Sequence, residues 1–193
     1  MVQSPTSLAV NAEPPADTLL PAIRAGDDAA FDQLVARLQR PLYAFAWRYL
    51  HQNEDAEDVV VETFVRLFHH RQRLRDDTRI EAWLFTTLAN LCHNRHRWRT
   101  RHPESSLDAT VAELPAGAAT PGELMERDES GAAVRQAIDQ LPHDQRTVVL
   151  LYHYEHLSYR EISAVVGCSE RGVETRLYRA KQQLRTLLAD RKR

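Results

Sequence analysis

The stretch LSYREISAVVGCSERGVETRLYRAKQQLRTLL, Leu157 to Leu188, decides how the chain is read. It predicts a short helix, a tight turn and a longer second helix. Ser158 followed by Glu161 has the capping-box spacing, in which a hydroxyl and a carboxylate each satisfy a free backbone N–H. Ile162, Val165 and Val166 give the first helix an apolar face. Gly167 suits the left-handed residue that ends such a helix, because it has no Cβ to clash. Ser169 can cap the next. In the second helix Val173, Leu177, Leu184 and Leu188 recur at helical spacing and point inward. Arg171, Glu174, Thr175, Arg179 and Gln182 lie on the opposite face, with Arg176 and Lys181 at its borders. This is the pattern of a helix-turn-helix, and its polar, largely basic outer face suits the major groove of DNA. A plain helical hairpin with a glycine turn shares part of the pattern, so the rest of the chain has to separate the two.

A chain of 193 residues allows one large domain or two small ones. Its 43% hydrophobic and 27% charged residues are those of a soluble globular protein. With only 6 glycines and a helical period nearly throughout, an all-α fold is expected. The net charge is −2, but acids gather at 54–62 and 123–129, and arginines at 66–101 and 171–193. A polyanion meets a patch rather than the net charge. The two cysteines, Cys92 and Cys168, make no disulfide framework and fit a reducing cytoplasm. The opening MVQSPTSLAVNAEPPAD lacks the basic-then-apolar order of a signal peptide. No apolar run approaches the ~20 residues of a membrane span.

Taken in order, residues 1–17 are rich in Pro, Ser and Ala and are expected to be a flexible tail. Leu19, Leu20 and Ile23 suggest a short helix closed by Gly26. Asp27 or Asp28 can cap a second, with Phe31, Leu34, Val35 and Leu38 inward. Pro41 suits the first turn of a third, whose inner face is Leu42, Phe45, Ala46 and Tyr49. Asn53 can cap a fourth, where Glu54, Asp55, Glu57 and Asp58 crowd the positive end of the helix dipole. Ala56, Val59, Val60, Thr63, Phe64, Leu67 and Phe68 form its apolar stripe, with the acids off it. A solvated face accounts for those acids, and so does a docking surface for a basic partner; the pattern alone favours the first.

Residues 69–78 lack a clean period and should hold a loop. A fifth helix runs from about Arg79, with Ile80, Trp83, Leu84, Thr87, Leu88 and Leu91 inside. Beyond Leu91 come His93, Asn94, Arg95, His96, Arg97, Trp98, Arg99 and Arg101. A helix dipole calls for one or two cations at its C-terminal end, not four. Interleaved with Asn and Trp, they fit a nucleic-acid backbone with stacking or edge contacts. Residues 103–129 read as a linker between a first domain, 18–102, and a second, 130–193. In the second, Val134, Ala137, Ile138 and Leu141 line one helix. Pro142 opens another, with Val148, Val149, Leu151 and Tyr152 as its apolar members. The helix-turn-helix completes a small bundle.

Two competing readings have their own residues. Cys92, His93 and His96 form a C-H-x-x-H cluster, with His69 and His70 nearby, and such spacing can hold a metal on a helix. The position of Cys92 beside the buried Leu91 and the basic run around the histidines argue against it. No metal, no cofactor and no catalytic residue is assigned: there is no phosphate-cradling glycine loop and no nucleophile with a placed base. A stand-alone helix-turn-helix regulator is the alternative function, but it leaves the acidic helix at 53–68 without a role.

Three stretches together resemble a bacterial RNA polymerase sigma factor of the extracytoplasmic-function (ECF) group. NEDAEDVVVETFVRLF resembles the region 2 helix that docks on core polymerase. RIEAWLFTTLANLCHNRHRWRTR resembles the helix that opens and reads the −10 element. LPHDQRTVVLLYHYEHLSYREISAVVGCSERGVETRLYRAKQQLR resembles region 4, which reads the −35 element. The resemblance implies core-polymerase contacts at Asp55, Glu57, Asp58 and Glu62. It implies −10 single-strand contacts at Asn90, Asn94, Arg95 and Arg97, with the loop at Leu74 to Thr78 helping to hold a flipped base. It implies −35 contacts at Ser169, Arg171, Glu174, Thr175, Arg176 and Arg179. Arg can pair bidentately with guanine and Glu can accept from cytosine N4. Trp83 is expected in the core, while Trp98 suits either core or strand. Val61 stands where the family often has Gln, and Arg171-Gly172 where it often has Gly-Thr. An anti-sigma factor is a further implied partner.

Overall fold

The computed structural model describes residues 15–102 and 131–190. Among them there are helices and turns but no strand. A 3-10 turn, Ala16–Leu19, leads into α1, Leu20–Ala25. Then follow α2, Asp28–Leu50, α3, Asn53–His70, a 3-10 turn at Arg71–Arg73, and α4, Ile80–Arg101. After the gap come α5, the helical residues 131–139, and α6, His143–His153. The last two are α7, Tyr159–Val166, and α8, Glu170–Asp190. No described helix is long and apolar enough to cross a membrane.

The first module wraps α2, α3 and α4 around one core. Leu34, Leu38, Leu42 and Phe45 of α2 meet Ala56 and Leu67 of α3, and Ile80, Leu84 and Leu88 of α4, all essentially inaccessible to solvent. Leu20 and Ile23 of α1 close one end. The second module is smaller. Val148 and Leu151 of α6, Ile162 and Val165 of α7, and Val173 and Ala180 of α8 fill it. The modules touch: α6 packs on α2, and α7 on α4.

Several local expectations are corrected. Pro41 does not start a helix; it lies inside α2, which is continuous from Asp28 to Leu50. An interior proline removes one helix hydrogen bond, but the buried run Leu34, Leu38, Leu42, Phe45 and Tyr49 crosses it without a break. Burial of that stripe outweighs the lost bond. Asn53 is not the cap of α3, which begins after Gln52 with no side-chain cap. Its Oδ1 instead accepts from Trp47 Nε1 at 3.0 Å and Tyr43 Oη at 3.3 Å, tying α3 back to α2. Ala16 and Asp17, expected in the tail, belong to the fold: Ala16 is buried, and Asp17 Oδ1 accepts from Ile80 N at 2.7 Å. A carboxylate from the start of the fold thus caps α4. Phe68, Val134 and Tyr152 are exposed, not inward. Leu150 takes the buried place expected of Tyr152.

Candidate nucleic-acid interface

The helix-turn-helix is built by the devices its sequence announces. Ser158 Oγ accepts from Glu161 N at 3.3 Å, and Ser158 N donates to Glu161 Oε2 at 2.8 Å, completing the capping box. The Ser158 hydroxyl, which also donates to Glu161 Oε2 at 2.6 Å, and then the Ser158 N–H hold the Glu161 carboxyl below the usual carboxylate range. Gly167 takes φ 63° and turns the chain. Ser169 Oγ then accepts from Gly172 N at 3.2 Å at the start of α8.

On α8 the outer face is open. Arg171, Glu174, Thr175 and Arg179 are exposed, and neither arginine makes an ion pair among the described residues. The Thr175 hydroxyl donates to Arg171 O at 2.8 Å. Arg176 differs. It is half-buried, with Nε 3.4 Å from Asp144 Oδ2 and Nη1 3.4 Å from Cys168 Sγ. Sequence reasoning passed over Tyr178, which stands 63% exposed in the same stripe. Its position four residues past Glu174 and seven past Arg171 was signal enough.

In the first module the acidic and basic sets meet. Asp55 is buried, contrary to the expectation that the acids lie off the apolar stripe. It accepts from Arg95 Nη1 at 2.6 Å and from Arg99 Nη1 at 3.0 Å. Arg95 also reaches Asp58 at 3.5 Å. A residue expected to face polymerase therefore holds two arginines from the helix expected to face DNA. Glu57, Asp58 and Glu62 are exposed, and Glu62 pairs with Arg66 one turn on at 2.8 Å. Asn90, Asn94 and Arg97 are exposed on α4. Between α3 and α4 lies a groove of ≈ 500 Å³, lined by Asp58, Val59 and Glu62 of α3 and by Leu91, Asn94, Arg95 and Trp98 of α4.

Trp83 packs against the core, whereas Trp98 is half exposed and stacks on His102 at 5.0 Å. In the loop before α4, Asp76 pairs with Arg24 and Asp77 with Arg75. The C-H-x-x-H residues do not converge. Cys92 is buried and its thiol is pushed up by that burial, while His93 stacks on His143 and His96 turns its edge to Tyr49. Among the described residues no three metal-ligating side chains come together.

Residues 34–102 match the family model described as Sigma-70 region 2, and residues 131–184 match Sigma-70, region 4. The chain is 32% identical to the ECF RNA polymerase sigma-E factor of Escherichia coli (strain K12), over 86% of this chain and 90% of that one. The chain is an ECF-group RNA polymerase sigma factor. Two solved structures are also similar. CnrH in complex with the cytosolic domain of CnrY matches 92% of this sigma factor and 99% of that chain, at 27% identity and a TM-score of 0.68. The sigma factor RpoE from Bartonella quintana, in complex with the anti-sigma factor NepR, matches 82% of this chain and 96% of that one, at 26% identity and a TM-score of 0.61. A sigma factor binds core polymerase and promoter DNA and is not itself an enzyme. The stand-alone regulator falls away, because the region 2 match spans the acidic helix that it left without a role.

Proposed function

We propose the following division of labour within this sigma factor. Residues 16–102 form the domain that meets core polymerase and the −10 element, and residues 130–193 form the domain that meets the −35 element. Glu57, Asp58 and Glu62 offer the exposed acidic face of α3 to basic polymerase helices, while Asp55 braces that face from behind. Asn90, Asn94 and Arg97 contact the melted −10 strand, with Arg95 set in place by Asp55. The α8 helix enters the −35 major groove, where Arg171, Glu174, Thr175 and Arg179 reach base edges and phosphates. Ser169 caps the helix beside the backbone, and Arg176 works at the margin.

The observation that carries this reading is the free face of α8: four polar side chains of the reading pattern stand exposed together, on a helix fixed at its start by Ser169. The site of action is the cytoplasm, where core polymerase is found. The Bartonella quintana sigma factor is in complex with an anti-sigma factor, and by that likeness an anti-sigma factor is a partner of this protein too. Transcription in vitro with purified protein, core polymerase and a library of promoter fragments tests the whole. Specific initiation that needs both proteins, and that Glu57→Lys and Asp58→Lys together abolish while duplex −35 binding by the free protein persists, is the expected result. DNA binding by the wild-type protein with no transcripts from it and core polymerase together would sink it.

A further inference from the structure

The contact between the two domains is organised around one buried cation. Arg146 of α6 is 1% exposed. Its guanidinium donates to the carbonyl of Tyr49 on α2 and to the carboxylate of Asp139 on α5, and lies over the Tyr49 ring, 4.1 Å from its centroid. Asp139 also bonds His51 Nε2 of α2 at 3.0 Å. The Tyr49 hydroxyl meets His143 Nδ1 at 2.9 Å, and the His143 ring stacks on His93 of α4 at 4.2 Å. At the edges, Arg48 pairs with Glu155 at 3.0 Å and the Thr86 hydroxyl lies 2.7 Å from Val165 O. The cluster is incompletely satisfied: Arg146 Nε is buried with no acceptor among the described residues. Burying a charge in this way is costly and favours a unique geometry more than raw stability.

This closed form cannot serve a promoter. The −10 and −35 elements lie about 25 base pairs apart, which at 3.4 Å per pair is about 85 Å. Here the −10 helix α4 touches α7 directly. Resting on the division of labour given above, we propose that the closed arrangement is an autoinhibited state, clasped by Arg146, Tyr49 and Asp139, and that proton uptake by His93 and His143 releases it.

The surroundings set the sign. Facing His143 are the Tyr49 hydroxyl from α2 and the His93 ring from α4, with Thr147 one turn on along its own helix. Asp144 and Arg146 flank it on its own helix. Desolvation, then His93 and Arg146, pull the pKa of His143 from 6.5 down to about 4, against the opposing pull of Asp144. Desolvation, Arg97 and Arg146 lower that of His93, and desolvation and Arg146 lower that of His96 although Asp139 pulls the other way. Groups whose pKa is lowered in the closed form favour it while neutral. The clasp is therefore intact above pH 6.5 and loses strength as pH falls toward about 4. In that window His143 alone lowers the closed-to-open ratio by up to about tenfold per pH unit.

Small-angle scattering of the full chain, with circular dichroism alongside, tests this without polymerase or DNA. The wild type is expected to be compact at pH 7.5 and to expand at pH 5 with its helical signal retained. His93→Gln/His143→Gln is expected to stay compact at both. Because Arg146 variants can fail to fold, the clasp is opened at its edge. Glu155→Arg, which faces Arg48 with a like charge, should expand the protein at pH 7.5, and Arg48→Glu/Glu155→Arg should restore compaction. A wild type already open at pH 7.5, acid expansion that survives loss of both histidines, expansion only with loss of helix, or a Glu155→Arg variant as compact as wild type would each overturn the proposal. Failure here leaves the promoter assignment standing, since that is read by transcription alone.

Discussion

Two cationic helix faces in this sigma factor follow opposite plans. On α8, Arg171 and Arg179 stand exposed with no carboxylate partner among the described residues. On α4, Arg95 and Arg99 are held by Asp55, a buried acid from a different helix. The difference matches what each face would meet under the proposed division of labour. A helix that enters duplex DNA gains by releasing counterions from phosphates, so its charges are best left unneutralised. A helix that captures a melted strand has to present side chains in fixed positions, and Asp55 fixes two of them at once. Charge is spent on attraction in one place and on placement in the other.

The largest effect should come from breaking the placement. Asp55→Ala removes two charge-assisted bonds at the α3–α4 seam and leaves Arg95 with its longer contact to Asp58. Fully buried pairs broken on one side cost about 3–5 kcal/mol. Both arginines are partly exposed, which screens the leftover charge, so about 2 kcal/mol is expected in urea unfolding of the full chain. Glu57→Ala, on the exposed side of the same helix, should change stability by less than ~0.5 kcal/mol while weakening core binding. Equal stability of the two variants would mean that Asp55 is no brace.

Next come the α8 arginines, where binding rather than stability should respond. Arg171→Ala and Arg179→Ala should each weaken −35 binding, by about 1–3 kcal/mol where the side chain reads a base. Where it meets only phosphate, the salt dependence should fall by about one unit of slope. Arg176→Ala should lose less than either, because Asp144 already holds its guanidinium at 3.4 Å. Holoenzyme binding across a salt series ranks the three, and a largest loss at Arg176 would invert the assignment. Smaller again is Ser158→Ala. It removes one half of the capping box, costs about 1 kcal/mol, and should leave base preference unchanged in the same binding series.

The sequence was legible where a physical signal is local. Capping box, left-handed glycine and helical period place α7 and α8 to the residue, because each device acts within four positions. It was less legible where the deciding partner is remote. Asp55 sits at the edge of its stripe, and only Arg95 and Arg99, some forty residues on, draw it inside. Arg146 reads as an ordinary polar residue on a short helix, and its role depends on Tyr49, 97 positions earlier. Pro41 shows a different limit. The same residue suits a first turn and can be tolerated mid-helix, and only the unbroken burial of Leu38, Leu42 and Phe45 around it decides between them.

The finest test concerns Gly172, the departure from the family pattern inside the reading helix. Glycine within a helix costs about 1 kcal/mol relative to alanine, so Gly172→Ala would ordinarily stabilise α8. Here an added Cβ would lie 3.0 Å from Cys168 Sγ and 3.3 Å from Cys168 Cβ. The thiol has to move, and in moving it loses its contact with Arg176. The gain in helix propensity and the cost of crowding are of similar size, so Gly172→Ala alone should fall within ~0.5 kcal/mol of wild type. Cys168→Ala removes the sulfur. The double variant should then recover part of the ~1 kcal/mol that alanine offers, giving a positive coupling energy in a double-mutant cycle. That same cycle bears on the two faces compared above. If the double variant gains stability yet binds −35 DNA like wild type, the turn tolerates glycine without needing it. If binding falls while stability rises, Gly172 is there to let the backbone of α8 come close to the DNA, and the open face of that helix includes its main chain as well as its arginines.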